Sequence, residues 1–149
     1  MSDRESVLTL LARSRLIVGA MAAGILFLTA VIGLIDLAPV GFADRLSLPA
    51  GLAGLLALVA GWRVFVRSGQ RASDVEDVAT GCTRYAAALL VALALTEAAA
   101  FLGVVAYMLG AEVMALTGVL SHVLLTAVLW PTVEKIRPFL GLAGQHVVE

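Results

Sequence analysis

The sequence predicts an all-α integral membrane protein, organised as one domain of four transmembrane helices with both termini in the cytoplasm. Of its 149 residues, 61% are hydrophobic and only 14% are charged, whereas soluble domains have about 25% charged residues. The apolar residues are concentrated in four segments of near-membrane length. Because lipid offers no hydrogen-bond partners to an unpaired backbone, segments of this kind are expected to be helical.

The four predicted spans are residues 16–35, 50–66, 85–108 and 113–130. About 20 apolar residues suffice for a helix to cross a bilayer. The first span is too long for the apolar core of a signal peptide, which has about 7–15 residues, so we interpret it as a membrane helix. The fourth span ends at Pro131. Only residues 109–112 separate the third and fourth spans, which are therefore predicted to be adjacent and antiparallel.

The connections differ in character. Ser47, just before Pro49, is a candidate start for the second helix. The polar loop 67–84 contains a possible capping box at residues 73–76. The C-terminal segment 132–149 mixes apolar and charged residues. That mixture predicts an interfacial segment lying along the membrane, with a frayed tail as the alternative.

The basic residues predict the orientation. Nine of the ten lie before the first span, around the 67–84 loop or after the fourth span, and only Arg45 lies in the opposite set of connections. By the positive-inside rule, the nine face the cytoplasm. We therefore expect a multi-pass protein of a bacterial inner membrane.

Composition also argues against several functional classes. The net charge of −1 gives no support for nucleic-acid binding. Cys82 is the only cysteine, which rules out an internal disulfide and a multi-cysteine metal site. No nucleophile–base set, P-loop or dinucleotide-binding turn is present. The sequence thus predicts neither an enzyme nor a cofactor.

Glu97 is the principal candidate functional residue. It is the only charged residue within the third span. Ionising a carboxyl group at mid-bilayer costs at least ~2.5–3.5 kcal/mol on insertion scales. A chain that needed only an anchor would be more stable with Leu at this position. Glu97 is therefore predicted either to bind a proton or cation or to act structurally through a hydrogen bond.

His122 is predicted to lie at the depth of Glu97, because each is near the centre of its span. A carboxyl group and an imidazole at one depth can share a hydrogen bond or a proton. The hydroxyl groups of Thr96, Ser121 and Thr126 lie at similar depths and complete the candidate site. A metal is not predicted, because two ligands do not close a tetrahedral shell.

Small residues recur along the predicted helices. In the third span, a 4-3-4-3 spacing places five of them on one face: Ala92, Thr96, Ala99, Gly103 and Ala106. Such faces let membrane helices approach closely. The glycines predicted to lie at helix contacts are Gly24, Gly54, Gly61, Gly103 and Gly118. Packing within the bundle and contact with other copies or subunits are both compatible with the pattern.

Two resemblances follow from residues in the second half of the chain. Ala94-Leu95-Thr96-Glu97-Ala98, followed by Gly103 and Val105, resembles the ion-carrying helix of rotary ATP synthase proteolipid (c-type) subunits. This resemblance covers about 15 residues and implies an ion-binding role for Glu97. Separately, Glu97 with Phe101 and Tyr107, and then Trp130-Pro131-Thr132, is similar to small uncharacterised four-helix bacterial membrane proteins. That similarity implies four spans and no particular activity.

The expected function is that of a small inner-membrane protein acting as a homo-oligomer or as an accessory subunit of a larger membrane complex. In this interpretation, Glu97 and His122 form a polar site at the membrane midplane. One alternative is a small proton-coupled transporter or channel. Another is a structural scaffold that transports nothing. The expected partners are the lipid bilayer and other membrane subunits.

Overall fold

The apolar segments fold as helices. In a computed structural model that describes residues 3–35, 44–72, 75 and 77–141, these residues form five α-helices and one short 3-10 helix, without a strand. The α-helices are α1 (Asp3–Gly33), α2 (Asp44–Gln70), α3 (Val78–Met108), α4 (Thr117–Val128) and α5 (Val133–Leu140), and the 3-10 helix covers Val113–Leu116. The predicted all-α class is confirmed.

The outer surface is apolar to a degree that is rare in water-soluble proteins. The side chains of Leu16, Phe27 and Leu34 are 74%, 72% and 87% exposed, and soluble monomers seldom expose extended apolar surface. The helices α1, α2 and α3 are each long and apolar enough to cross a membrane. The segment Val113–Val128 qualifies only together with α5, and the two are bent by 78°. The structure therefore supports a membrane protein with three or four spans.

The helix ends depart from the predicted span limits. The helix α2 continues to Gln70 and α3 begins at Val78, so the connection is shorter than the polar segment 67–84. Hydropathy reports where polar residues occur, and polar residues can extend a helix beyond its apolar part. The start predicted near Ser47 is wrong, since α2 begins at Asp44. The predicted capping box at 73–76 lies largely outside the described residues.

Asp77 caps the N-terminus of α3. Its carboxylate accepts hydrogen bonds from the backbone N–H of Thr80 at 3.1 Å and from the Thr80 hydroxyl at 3.2 Å. The backbone bond is the main reason that the pKa of the Asp77 carboxyl lies below its usual value. This cap satisfies a donor that the helix itself leaves unpaired.

The link between α3 and α4 is a tight turn that depends on glycine. Gly110 has a φ of 96°, a value that side-chain-bearing residues rarely adopt. The N–H of Ala111 donates to the Ala106 carbonyl and the N–H of Gly110 to the Tyr107 carbonyl, which is the pattern of a Schellman motif. The turn reverses the chain, so α3 and α4 lie side by side, as predicted.

The helix α3 is at the centre of the molecule and packs against the other four α-helices. Its small residues Ala92, Thr96, Ala99, Gly103 and Ala106 are all buried. By contrast, α1 contacts α3 and α4 through one narrow stripe, which includes Val7, Leu11, Val18, Ile25 and Ile32. The predicted small-residue face of the third span is thus used for packing within the chain.

The helix α5 packs across one end of the bundle. Thr132 caps it by accepting a hydrogen bond from the Lys135 N–H at 3.4 Å. Phe139 is buried against Phe65 of α2 and Tyr85 of α3, with ring centroids 5.1 and 5.4 Å away. The helical part of the predicted interfacial segment is therefore docked on α2 and α3, and residues 142–149 of that segment lie outside the described part of the chain.

Candidate functional site

The centre of the candidate site is a hydrogen bond between α3 and α4. Thr96 and His122 are completely buried, and the Thr96 hydroxyl oxygen lies 3.0 Å from His122 Nδ1. The small residues of α3 allow α4 to approach closely enough for this bond. His122 lies near the middle of α4, and Thr96 faces it from α3. The structure thus brings together two of the predicted residues.

The hydrogen bonds around Thr96 favour one tautomer of His122. The Thr96 hydroxyl donates to the Leu93 carbonyl at 3.0 Å. A hydroxyl has a single proton, so in this arrangement His122 Nδ1 carries the ring proton and donates to the Thr96 oxygen. The other ring nitrogen, Nε2, is left with a lone pair, and it has no hydrogen-bond partner. In this tautomer the site offers a buried proton acceptor.

Glu97 is placed differently from the sequence-based expectation. Its carboxyl group forms no hydrogen bond or ion pair in the described part of the chain, and it acts on the His122 ring only through its charge. Consecutive helical residues point about 100° apart. Thr96 therefore faces α4, and Glu97 is turned away from it and is only half-buried. The expected direct bond between the carboxyl group and the imidazole is replaced by the bond to Thr96.

The two other predicted hydroxyl groups both lie on α4. Ser121 and Thr126 are 2% and 5% exposed. Thr126 is one helical turn from His122 and shares its face of α4, and its hydroxyl oxygen has no hydrogen-bond partner. A buried hydroxyl without a partner costs free energy. Two buried polar atoms on one face of α4, His122 Nε2 and Thr126 Oγ1, are therefore open to a further ligand.

Glycine contacts enclose His122 from both sides along the bundle. On one side, a Cβ atom at Gly118 would collide with the Ala99 carbonyl oxygen, and one at Gly54 would lie 2.6 Å from the Gly118 nitrogen. On the other side, a Cβ atom at Gly61 would lie 2.7 Å from the Ala92 carbonyl oxygen. These approaches bring the backbones of α2, α3 and α4 together. The imidazole is consequently held between two tightly packed layers.

The remaining predicted packing glycines behave differently from one another. A Cβ atom at Gly103 would collide with the Ala115 carbonyl oxygen, so Gly103 also lies at a close helix contact. At Gly24, by contrast, nothing lies within 4 Å of the Cβ position. Gly24 lies beside the narrow packing stripe of α1 and is exposed. The expectation that Gly24 packs against another helix is not met within the described part of this chain.

Sequence reasoning missed two features of the site. One is the Leu93 carbonyl, which accepts the hydrogen bond of the Thr96 hydroxyl. Backbone carbonyls have no sequence signature, although a Thr three residues after any helical position often donates to its carbonyl. The other is the contact between Gly54 and Gly118, which the small-residue pattern predicted only as two separate packing positions.

The arrangement is suited to binding a proton. An imidazole nitrogen with a free lone pair accepts a proton, whereas hard metal cations prefer several oxygen ligands. In the described residues, no group of three His, Cys, Asp or Glu side chains lies close enough to hold a metal ion. Comparison with known protein families, with curated proteins and with solved structures gives no match.

Proposed function

We propose that this chain is a non-enzymatic, multi-pass protein of a bacterial inner membrane that binds a proton at a buried site on His122. It has four spans, with α4 as the fourth, and both termini face the cytoplasm. It acts as a homo-oligomer or as an accessory subunit of a larger membrane complex. The buried and unpartnered Nε2 of His122 is the observation that carries this proposal.

The burial of His122 makes its unpartnered nitrogen energetically costly. A polar atom without a partner in an apolar interior costs roughly 1–3 kcal/mol in proteins, and Leu at this position would avoid that cost. The Thr96 hydroxyl would retain its bond to Nδ1–H in the protonated imidazolium, since Nδ1 is a donor in both states. Protonation thus requires no change in the existing hydrogen bonds.

Glu97 supports the second part of the proposal. Its carboxyl group is half-buried and forms no hydrogen bond or ion pair among the described residues. In a membrane, a carboxyl group at this depth is expected to face the bundle interior or another polar group. A second copy of the chain, or another subunit, can supply that group. The local resemblance of residues 94–98 to a proteolipid ion-carrying helix agrees with an ion-linked role.

The second candidate function is a structural scaffold. It is favoured by the bond between Thr96 and His122, which joins α3 to α4 directly. In this case His122 remains neutral at all relevant pH values, and Glu97 only stabilises contacts with neighbouring subunits.

Nitrogen-15 NMR of the imidazole distinguishes the two candidates. In the variant His146→Asn, His122 is the sole histidine. We expect an Nδ1–H neutral tautomer at high pH and protonation of Nε2 when the pH is lowered. Glu97→Gln should shift this titration, because the ring and the carboxyl group lie on adjacent helices. The matched control Glu112→Gln, in the exposed link, should leave the titration unchanged. An imidazole that never becomes protonated would exclude the proton site and leave the scaffold.

Assembly is tested separately by purification in mild detergent followed by native mass spectrometry. We expect a homogeneous oligomer or a complex with other membrane subunits. The same preparation of Glu97→Gln should contain a larger fraction of free monomer. A purely monomeric wild-type chain would contradict the proposed assembly without affecting the proton site.

A further inference from the structure

A cleft of about 490 Å³ lies between α2 and α3, at the end of the bundle where the short connection 71–77 joins them. One wall carries Val64 and Ser68 of α2 and then Arg71, and the other carries Arg84, Ala87 and Val91 of α3. The two helices are antiparallel, so the arginines lie at the same end. The cleft therefore has a basic mouth and an apolar body.

The residue spacing along both walls explains why the cleft is basic at its mouth and apolar further in. Val64, Ser68 and Arg71 follow one another at intervals of four and three residues, and Arg84, Ala87 and Val91 at intervals of three and four. Such intervals keep side chains on one face of a helix. Seven helical residues extend about 10 Å. The apolar part thus runs from the arginines toward the centre of the bundle, parallel to the helix axes.

The two guanidinium groups have no anionic partner in the described part of the chain. Arg71 and Arg84 are exposed and form no ion pair there. The nearest described carboxylate in sequence, Asp77, accepts its hydrogen bonds from Thr80. The Ser68 hydroxyl donates to the Val64 carbonyl at 2.8 Å. The cleft consequently presents two guanidinium groups that form no ion pair among the described residues, and Asp77 is bonded to Thr80 and not to them.

We propose that this cleft binds an anionic phospholipid, with its phosphate on Arg71 and Arg84 and an acyl chain along Val64, Ala87 and Val91. Guanidinium groups bind phosphate oxygens through charge-assisted hydrogen bonds. Basic pockets between membrane helices are suited to anionic headgroups. A small soluble anion would use the arginines but not the apolar walls, which favours a lipid. This inference requires a membrane location and is independent of the polar site at His122.

Native mass spectrometry of the full-length chain in detergent tests the proposal directly. The probes are phosphatidylglycerol and phosphatidylcholine with identical acyl chains, and inorganic phosphate as a competitor. We expect the wild type to retain phosphatidylglycerol preferentially. The double variant Arg71→Gln/Arg84→Gln should lose this preference, with affinity falling roughly fivefold for each arginine replaced.

The control variant is Arg63→Gln/Arg67→Gln, which removes the same charge from exposed positions of α2 that do not line the cleft. It should bind phosphatidylglycerol as the wild type does. Circular dichroism of each variant verifies that the helices remain folded. Ala87→Trp, which fills the apolar part without changing the charge, should also weaken lipid binding. Equal retention of the two lipids, equal losses in the two double variants, or displacement by millimolar phosphate would overturn the proposal.

Discussion

Thr96 decides how the polar residues at the centre of the molecule are arranged. Its hydroxyl oxygen accepts a hydrogen bond from His122 Nδ1–H, and its O–H donates to the Leu93 carbonyl, both at 3.0 Å. These two bonds favour the Nδ1–H tautomer of the imidazole. Glu97, the next residue, forms no hydrogen bond or ion pair among the described residues and acts on the ring only through its charge. The proton site depends on the neutral hydroxyl more directly than on the carboxyl group.

Replacement of Thr96 by Val should destabilise the protein, because Nδ1–H of His122 would then be buried without an acceptor. Hydrogen bonds between membrane helices contribute about 0.6–2 kcal/mol, so we expect a loss of that size in the free energy of unfolding. Reversible unfolding in mixed detergent micelles measures it. Thr96→Ser keeps the hydroxyl and should retain most of the stability. A Thr96→Val variant as stable as the wild type would show that the bond contributes little.

At the scale of helices, close backbone contact at glycine explains why α2, α3 and α4 form one unit. Cβ positions at Gly54, Gly61 and Gly118 would each lie within 3 Å of backbone atoms of a neighbouring helix. Backbone atoms cannot rotate away as a flexible side chain can. The helix α1, which contacts the bundle through one narrow stripe, lacks such contacts at Gly24 and is held by larger side chains.

This difference predicts opposite effects for the same substitution. Gly54→Ala should lower the free energy of unfolding by about 1–3 kcal/mol, since overpacking forces the backbones of α2 and α4 apart. Gly24→Ala should be neutral, or stabilising by up to about 0.5–1 kcal/mol, because nothing occupies the space and Ala favours the helix. Thermal unfolding of both variants in one detergent provides the comparison. Similar losses in both would mean that Gly24 contacts another copy or subunit.

At the scale of the whole molecule, the distribution of basic residues predicts the orientation in the membrane. Nine of the ten basic residues are predicted to lie on one side of the membrane, and they include Arg71 and Arg84. Lys and Arg are enriched in the cytoplasmic connections of membrane proteins. The end of the bundle that carries the proposed lipid cleft is therefore expected to face the cytoplasm.

Cysteine labelling in intact cells tests this orientation. In a Cys82→Ala background, Gln70→Cys should be protected from a membrane-impermeant thiol reagent and Glu112→Cys should react. Both positions are exposed, whereas Cys82 is half-buried and is a weaker reporter. Permeabilised cells, in which both variants should react, are the control. Labelling of Gln70→Cys alone in intact cells would reverse the topology.

The sequence by itself determined the helical class, the membrane-length segments and the adjacency of α3 and α4. Hydropathy adds residue by residue within a segment, so the apolar run 85–108 is recognisable without knowledge of its neighbours. The short link at 109–112 permits only neighbouring helices. The small-residue face of α3 followed from the helical period, which is also a local property.

Only the tertiary structure decided which groups pair and which faces meet. The partner of His122 depends on how α3 and α4 are rotated about their axes. A rotation of α3 by about 100° would place Glu97, instead of Thr96, opposite the imidazole. The 78° bend after α4 and the cleft beside Arg71 and Arg84 likewise depend on how separate segments pack. These features depend on how two segments are placed relative to each other, and sequence patterns describe each segment separately.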